Sequence, residues 1–141
     1  MKFIDSKEYG NISFGKVEHD IIFFKYKPRI EIDINTAKDL VKSRLDYTGG
    51  QPVYTLIDFT NVKSVTKEAR DYMNSAEGGL KGILGGAFLS NSVVATLFVN
   101  LYLKVSHPTI PARFFTSSSD AIEWLKKVKM SKSETCTTTL V

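Results

Sequence analysis

Residues 53–59, Val53-Tyr54-Thr55-Leu56-Ile57-Asp58-Phe59, form a nearly unbroken run of β-branched, aromatic and aliphatic side chains. Such a run reads as a central strand covered on both faces. The period then changes: Ala69, Tyr72, Met73 and Ala76 share one face of a predicted helix over 67–77, which Gly78-Gly79 stops. A strand over 83–89, a helix over 92–104, a strand over 112–116 and a helix over 118–128 continue the alternation. In the last helix Ala121, Ile122, Trp124, Leu125 and Val128 point inward, and Ser118-Ser119-Asp120 caps its start. Upstream, strand-like runs over 12–18 and 21–26 are joined by His19-Asp20, a two-residue hairpin connection. Glu31-Ile32-Asp33 leads into a first helix with Ile34, Ala37, Leu40, Val41 and Leu45 on its apolar stripe. Lys38, Asp39, Lys42 and Arg44 are placed mainly on its other side; Asp33 or Asn35 caps its start and Gly49-Gly50 closes it. The pattern predicts an α/β fold: a mixed sheet with an N-terminal antiparallel hairpin, central parallel strands and about four helices. An open sheet of this kind carries its binding crevice at the carboxyl ends of the strands.

The predicted third helix has an unusual distribution of polarity. Ser92, Thr96, Asn100 and Lys104 make one narrow polar stripe, and every other position from Val93 to Val105 is apolar. Covering one sheet face needs an apolar arc only a little over 100° wide. The surplus predicts a homodimer face built from Val94, Leu97, Phe98 and Leu101. A lipid or other apolar ligand, a membrane surface, or the hairpin or tail of the same chain are the alternative covers. Gly85-Gly86, in the preceding strand, would allow a helix or ligand to approach closely. Gly82 to Leu103 carries no charge over 22 residues, but Gly85-Gly86 and Ser90-Asn91-Ser92 divide it into a strand and a helix. No transmembrane span is expected.

With 141 residues, 43% hydrophobic and 24% charged, the chain has the composition of one soluble domain able to bury a sizeable core. That domain is expected over 1–129, with 130–141 as a disordered tail rich in Ser, Thr and Lys. A single cysteine, Cys136, excludes a disulfide framework, and the first eight residues lack the apolar core of a signal peptide, so a cytoplasmic location is expected. The net charge of +4 gathers at Lys126, Lys127, Lys129 and Lys132, where it complements a helix end. Aromatic side chains are not interleaved with it, so nucleic acid is not an expected partner.

Chemistry is sparse. The predicted strands end in Asp58 and Thr60, in Ser90, Asn91 and Ser92, and in Thr116, Ser117, Ser118 and Ser119. The second and third groups could present backbone N–H groups to an anion or ligand, with Ser90, Asn91, Ser92, Thr116 and Ser118 as the candidates. The same residues serve equally as helix caps. Asp58 could act as an acid or base, or hydrogen-bond the loop that follows it. His19 and His107 lie far apart with no ligand partner at metal spacing, and no nucleophile-elbow, dinucleotide or phosphate-loop motif is present. The chain therefore reads as non-catalytic, with no cofactor and no metal.

Two segments carry a family resemblance. Leu56-Ile57-Asp58-Phe59-Thr60-Asn61-Val62 is similar to the central strand and signature loop of the STAS fold (sulfate transporter and anti-sigma-factor antagonist). Residues 113–125, with Phe115, Ala121, Trp124 and Leu125, resemble the closing strand and helix of the STAS-like group. The resemblance, to the bacterial sporulation-antagonist type, spans about residues 11 to 129. It implies a regulatory or scaffold module acting through protein contacts, with Asp58, Thr60, Ser64, Thr66, Lys67, Glu68 and Arg70 on the partner-binding surface. The chain departs from the pattern at one place. Where antagonists carry D-S-S-G with a phosphorylated serine, this sequence reads Thr66-Lys67-Glu68-Ala69, leaving Ser64 and Thr66 as the nearby hydroxyls. STAS-like chains also resemble lipid-transfer folds in layout, so the alternative is a small-molecule or lipid-binding domain.

Overall fold

A computed structural model describes residues 3–90 and 110–140, with side chains through 131. Strands β1 (Ile4–Glu8), β2 (Ile12–Glu18) and β3 (Ile21–Tyr26) form an antiparallel meander. The parallel strands β5 (Val53–Asp58), β7 (Ile83–Leu89) and β8 (Ala112–Phe115) follow, giving a six-stranded sheet of order β1-β2-β3-β5-β7-β8. β4 (Ile30–Ile32) and β6 (Val62–Val65) form a separate two-stranded parallel pair. The helices among the described residues are α1 (Ile34–Thr48), α2 (Lys67–Met73) and α3 (Ser118–Leu140). The mixed sheet, hairpin and parallel centre are those the sequence predicts. The predicted helix over 92–104, with Val94, Leu97, Phe98 and Leu101, lies outside the described residues.

The central strands of the sheet are buried on both faces, and the period of two along each strand divides its side chains between them. Ile12, Phe14, Ile22, Phe24, Tyr26 and Val53 pack on one side with Ala37 and Leu40 of α1 and Ala69 of α2. Ile21, Tyr54, Leu56 and Ala87 pack on the other against Ala121 and Leu125 of α3. α1 begins where the Asp33 carboxylate accepts the Thr36 N–H at 2.8 Å, hydrogen bonding that holds this carboxyl below the ordinary aspartate range. It ends at Gly49, whose φ of 64° favours a residue without a side chain. Tyr9 and Tyr47 hydroxyls then strap β1 to α1 through Asp46 Oδ2 and the Asp5 carbonyl, each at 2.6 Å.

Four elements differ from the sequence expectation. β1 is an added edge strand, exposed along its whole length, with Asp5 at a φ of 60° where its register slips. β6 occupies the stretch expected to be a loop after β5. α2 ends at Met73 rather than 77, and a series of turns carries the chain to β7. α3 extends to Leu140, through the expected tail, because no glycine or proline after Pro111 interrupts it. Its first-turn acceptor is Ser117, whose Oγ lies 3.4 Å from the Asp120 N–H.

Lys126 and Lys129 turn toward the β2–β3 turn instead of forming a cationic patch. Lys126 Nζ lies 3.1 Å from Glu18, and Lys129 Nζ donates to Asp20 Oδ1 at 2.7 Å. The Asp20 hydrogen bond raises the Lys129 pKa above its ordinary value. The contribution is therefore full below the unfolded-state lysine pKa and disappears as pH rises through the higher folded value. Partial exposure keeps it to about 0.2–1 kcal/mol. Lys129→Met should lower stability by that amount at neutral pH, and the gap to wild type should close in strongly alkaline buffer; denaturant melts at both pH values read it. A gap independent of pH would contradict the assignment.

Gly79 donates its N–H to the Tyr72 carbonyl at 3.1 Å, and a Cβ there would lie 1.8 Å from the Met73 carbonyl oxygen. Gly79→Ala should destabilise the protein by about 1–3 kcal/mol by forcing the turn off the end of α2. An unchanged melting temperature would show that the turn yields freely.

Candidate functional site

Three places bear on function: the carboxyl edge of the parallel strands, the β5–β6 loop with the start of α2, and a cavity beneath α1 and α2. At the first, the register aligns Asp58 with Leu89 and Leu89 with Phe115, so the residues following β5, β7 and β8 emerge side by side. The Asp58 Oδ1 accepts the Thr60 N–H at 3.0 Å, a local turn bond of the kind short acidic side chains make. Ser90 is buried, and its N–H continues the ladder to the Phe115 carbonyl at 3.3 Å. Thr116 is exposed and Ser118 half-buried; Asn91 and Ser92 lie outside the described residues. The edge thus gathers Asp58, Thr60, Ser90 and Thr116.

The loop is held more firmly than a connection of its length requires. Ile30 N–H donates to the Asn61 carbonyl at 3.1 Å, the Asn61 side chain donates to the Tyr26 carbonyl at 2.8 Å, and Thr66 N–H donates to the Ile32 carbonyl at 3.0 Å. Ser64 pairs across β4–β6 with Glu31 and is half-buried. Thr66 caps α2 by accepting the Ala69 N–H at 3.1 Å. Thr66, Lys67 and Glu68 are exposed together on the first turn, whereas Arg70 turns inward and is half-buried.

The cavity, of about 90 Å³, lies between the sheet and α1 and α2. Phe24, Tyr26, Ile57, Phe59 and Phe88 line its sheet side. Leu40, Val41 and Arg44 come from α1, Arg70 and Met73 from α2, and Gly79, Leu80 and Ile83 from the turns before and start of β7. Gly86 contributes a bare backbone, and a Cβ there would sit 3.4 Å from Thr55 Oγ1. The cavity thus sits over the middle of one sheet face, not at the strand ends where a crevice was expected.

Arg44 corrects the sequence reading of α1. It is 4% exposed, on the same face as the core rather than opposite it. Its Nη1 donates to the Lys81 carbonyl at 2.8 Å and its Nη2 to the Gly79 carbonyl at 3.2 Å, fastening the glycine turn to the helix. Burial pushes its pKa down to about 10. The signal was present: Arg44 follows Ala37, Leu40 and Val41 at seven, four and three residues, the spacing of one helical face. The Arg70 Nε is buried with no hydrogen-bond partner. Among the described residues no carboxylate forms an ion pair with either guanidinium, and no cluster of His, Cys, Asp and Glu could hold a metal ion.

Residues 16–129 match a family model described as a domain of unknown function, DUF7793. The chain belongs to that family. DUF7793 in this chain thus covers the sheet from within β2 through the first half of α3. Among solved structures, the chain is similar to an uncharacterised protein of the DUF3478 family with a SpoIIAA-like fold, from Shewanella loihica PV-4. The identity is 19%, the TM-score 0.56, and the match covers 85% of this chain and 98% of that one. That likeness establishes a SpoIIAA-like fold, in agreement with the STAS-type layout. No curated protein matches the chain. No helix among the described residues is long and apolar enough to cross a membrane.

Proposed function

We propose that this chain is a non-catalytic STAS-like regulatory or scaffold module that contacts a protein partner through the β5–β6 loop and the first turn of α2. The observation that carries the reading is the exposure of Thr66, Lys67 and Glu68 on a turn fixed by the β4–β6 pair and the Asp58 and Thr66 bonds. A surface already ordered in the free protein loses little conformational freedom on association. Lys63, next to this turn, is half-exposed beside Glu31 at 3.9 Å, so the surface presents both charge signs and favours a partner with a matching pattern. Asp58 supports the loop through its hydrogen bond and takes no chemical role in this reading.

Quantitative capture from the native host tests it, using wild type, the double charge reversal Lys67→Glu/Glu68→Lys, and Lys127→Glu on the distant face of α3 as a control. The expected result is a partner retained by wild type and Lys127→Glu and reduced at least tenfold by the loop variant, with all three equally folded by circular dichroism. A partner held equally by all three would place the contact elsewhere.

A further inference from the structure

The cavity under α1 and α2 combines an apolar wall with positive charge for which the described residues supply no counter-ion. Five of its sheet-side residues are aromatic or aliphatic, yet two guanidinium groups line it. Arg44 has its Nη1 and Nη2 engaged by neutral carbonyls, and the buried Arg70 Nε has no hydrogen-bond partner among the described residues. Leaving a donor of a charged group buried and unsatisfied costs about 1–3 kcal/mol or more, a penalty native interiors avoid. A buried cation is stabilised chiefly by an anion, and an arginine fork matches a carboxylate in two parallel hydrogen bonds. Neither arginine finds one among the described residues.

Size and lining narrow the anion. A cavity of about 150 Å³ holds benzene, roughly 25 Å³ for each non-hydrogen atom, so about 90 Å³ admits a body of roughly four non-hydrogen atoms. Apart from the two arginines, the polar side-chain groups among the described lining residues are the Thr55 hydroxyl, which donates to the Gly85 carbonyl at 3.2 Å, and the Tyr26 phenol. The occupant therefore needs one small charged end and an otherwise apolar body. Gly86 widens the wall where any side chain would enter the space.

We propose that this cavity is a binding site for a short-chain monocarboxylate of about acetate size, its carboxylate held by Arg70 with Arg44 adding charge from the helix behind and its methyl end among Phe24, Phe59 and Phe88. The site is independent of the protein contact proposed above, because Lys67 and Glu68 face solvent while Arg70 faces inward. Failure of either reading leaves the other standing.

Methyl-detected NMR titration of the full chain tests it, with acetate, its neutral isostere acetamide, and methyl phosphate as probes. For wild type the expected result is saturable shifts at the methyl groups of Leu40, Val41, Leu80 and Ile83 with millimolar acetate, and at least tenfold weaker binding of both other probes. Arg70→Met should weaken acetate at least tenfold and leave acetamide unchanged; Gly86→Val, which fills the cavity, should abolish both. If a variant loses its methyl dispersion, the three wild-type titrations alone decide. Equal binding of acetate and acetamide would overturn the charge argument, tighter binding of methyl phosphate would overturn the carboxylate, and no saturable shift with any probe would overturn the site.

Discussion

Burial of β5 on both faces is the constraint on which the rest of the structure depends. Thr55 and Leu56 are fully enclosed, the first facing α1 and α2, the second facing α3. A strand so placed must have both edges paired, and it does, with β3 and β7, both parallel to it. Parallel pairing forces each connection back across a face, which is why α1 and α2 come to lie on one of them. The hydroxyl of Thr55 is tolerated in the centre because the Gly85 carbonyl on the neighbouring strand accepts its proton.

From that arrangement follow both features with functional weight. The chain leaves β5 at Asp58, and its direction is set at once by the Thr60 N–H and then by the short β4–β6 pair, so the turn before α2 is a fixed projection. On the same face, α1 and α2 do not fill the space above Thr55 and Gly86, and the gap between them is the cavity. Arg44 holds the Gly79–Lys81 turn over this gap by two hydrogen bonds to carbonyls, which satisfy its donors without neutralising its charge. A fold with a neutral residue at 44 would lose that tie but would also lose the field that favours an anion beside it.

The long elements were legible because their periods are clean. The 53–59 run, the stripe through Ala37, Leu40 and Val41, and the closing helix with Ala121 and Leu125 all sit where the pattern put them. The short strands were not, since three residues of β4 and four of β6 display no period, and their pairing joins segments about thirty residues apart. β1 reads as a polar start because an exposed edge strand has no buried face to reveal. Arg44 was misplaced by its chemistry despite its spacing: a charged side chain on an apolar stripe was assigned to solvent when the stripe itself placed it inside. The cavity left no such pattern, because an empty space is a property of how helices and sheet fail to meet. Gly85-Gly86 was its one trace in the sequence.

Amide hydrogen exchange under native conditions tests the central constraint most directly, because protection follows the free energy of exposing each hydrogen-bonded strand. The account predicts that the amides of Val53–Asp58 are the slowest of the chain, followed by their partners in Ile21–Tyr26 and Ile83–Leu89, while Ile4–Glu8 exchanges early. Exchange of Val53–Asp58 as fast as that of Ile4–Glu8 would contradict a sheet organised around a doubly covered central strand.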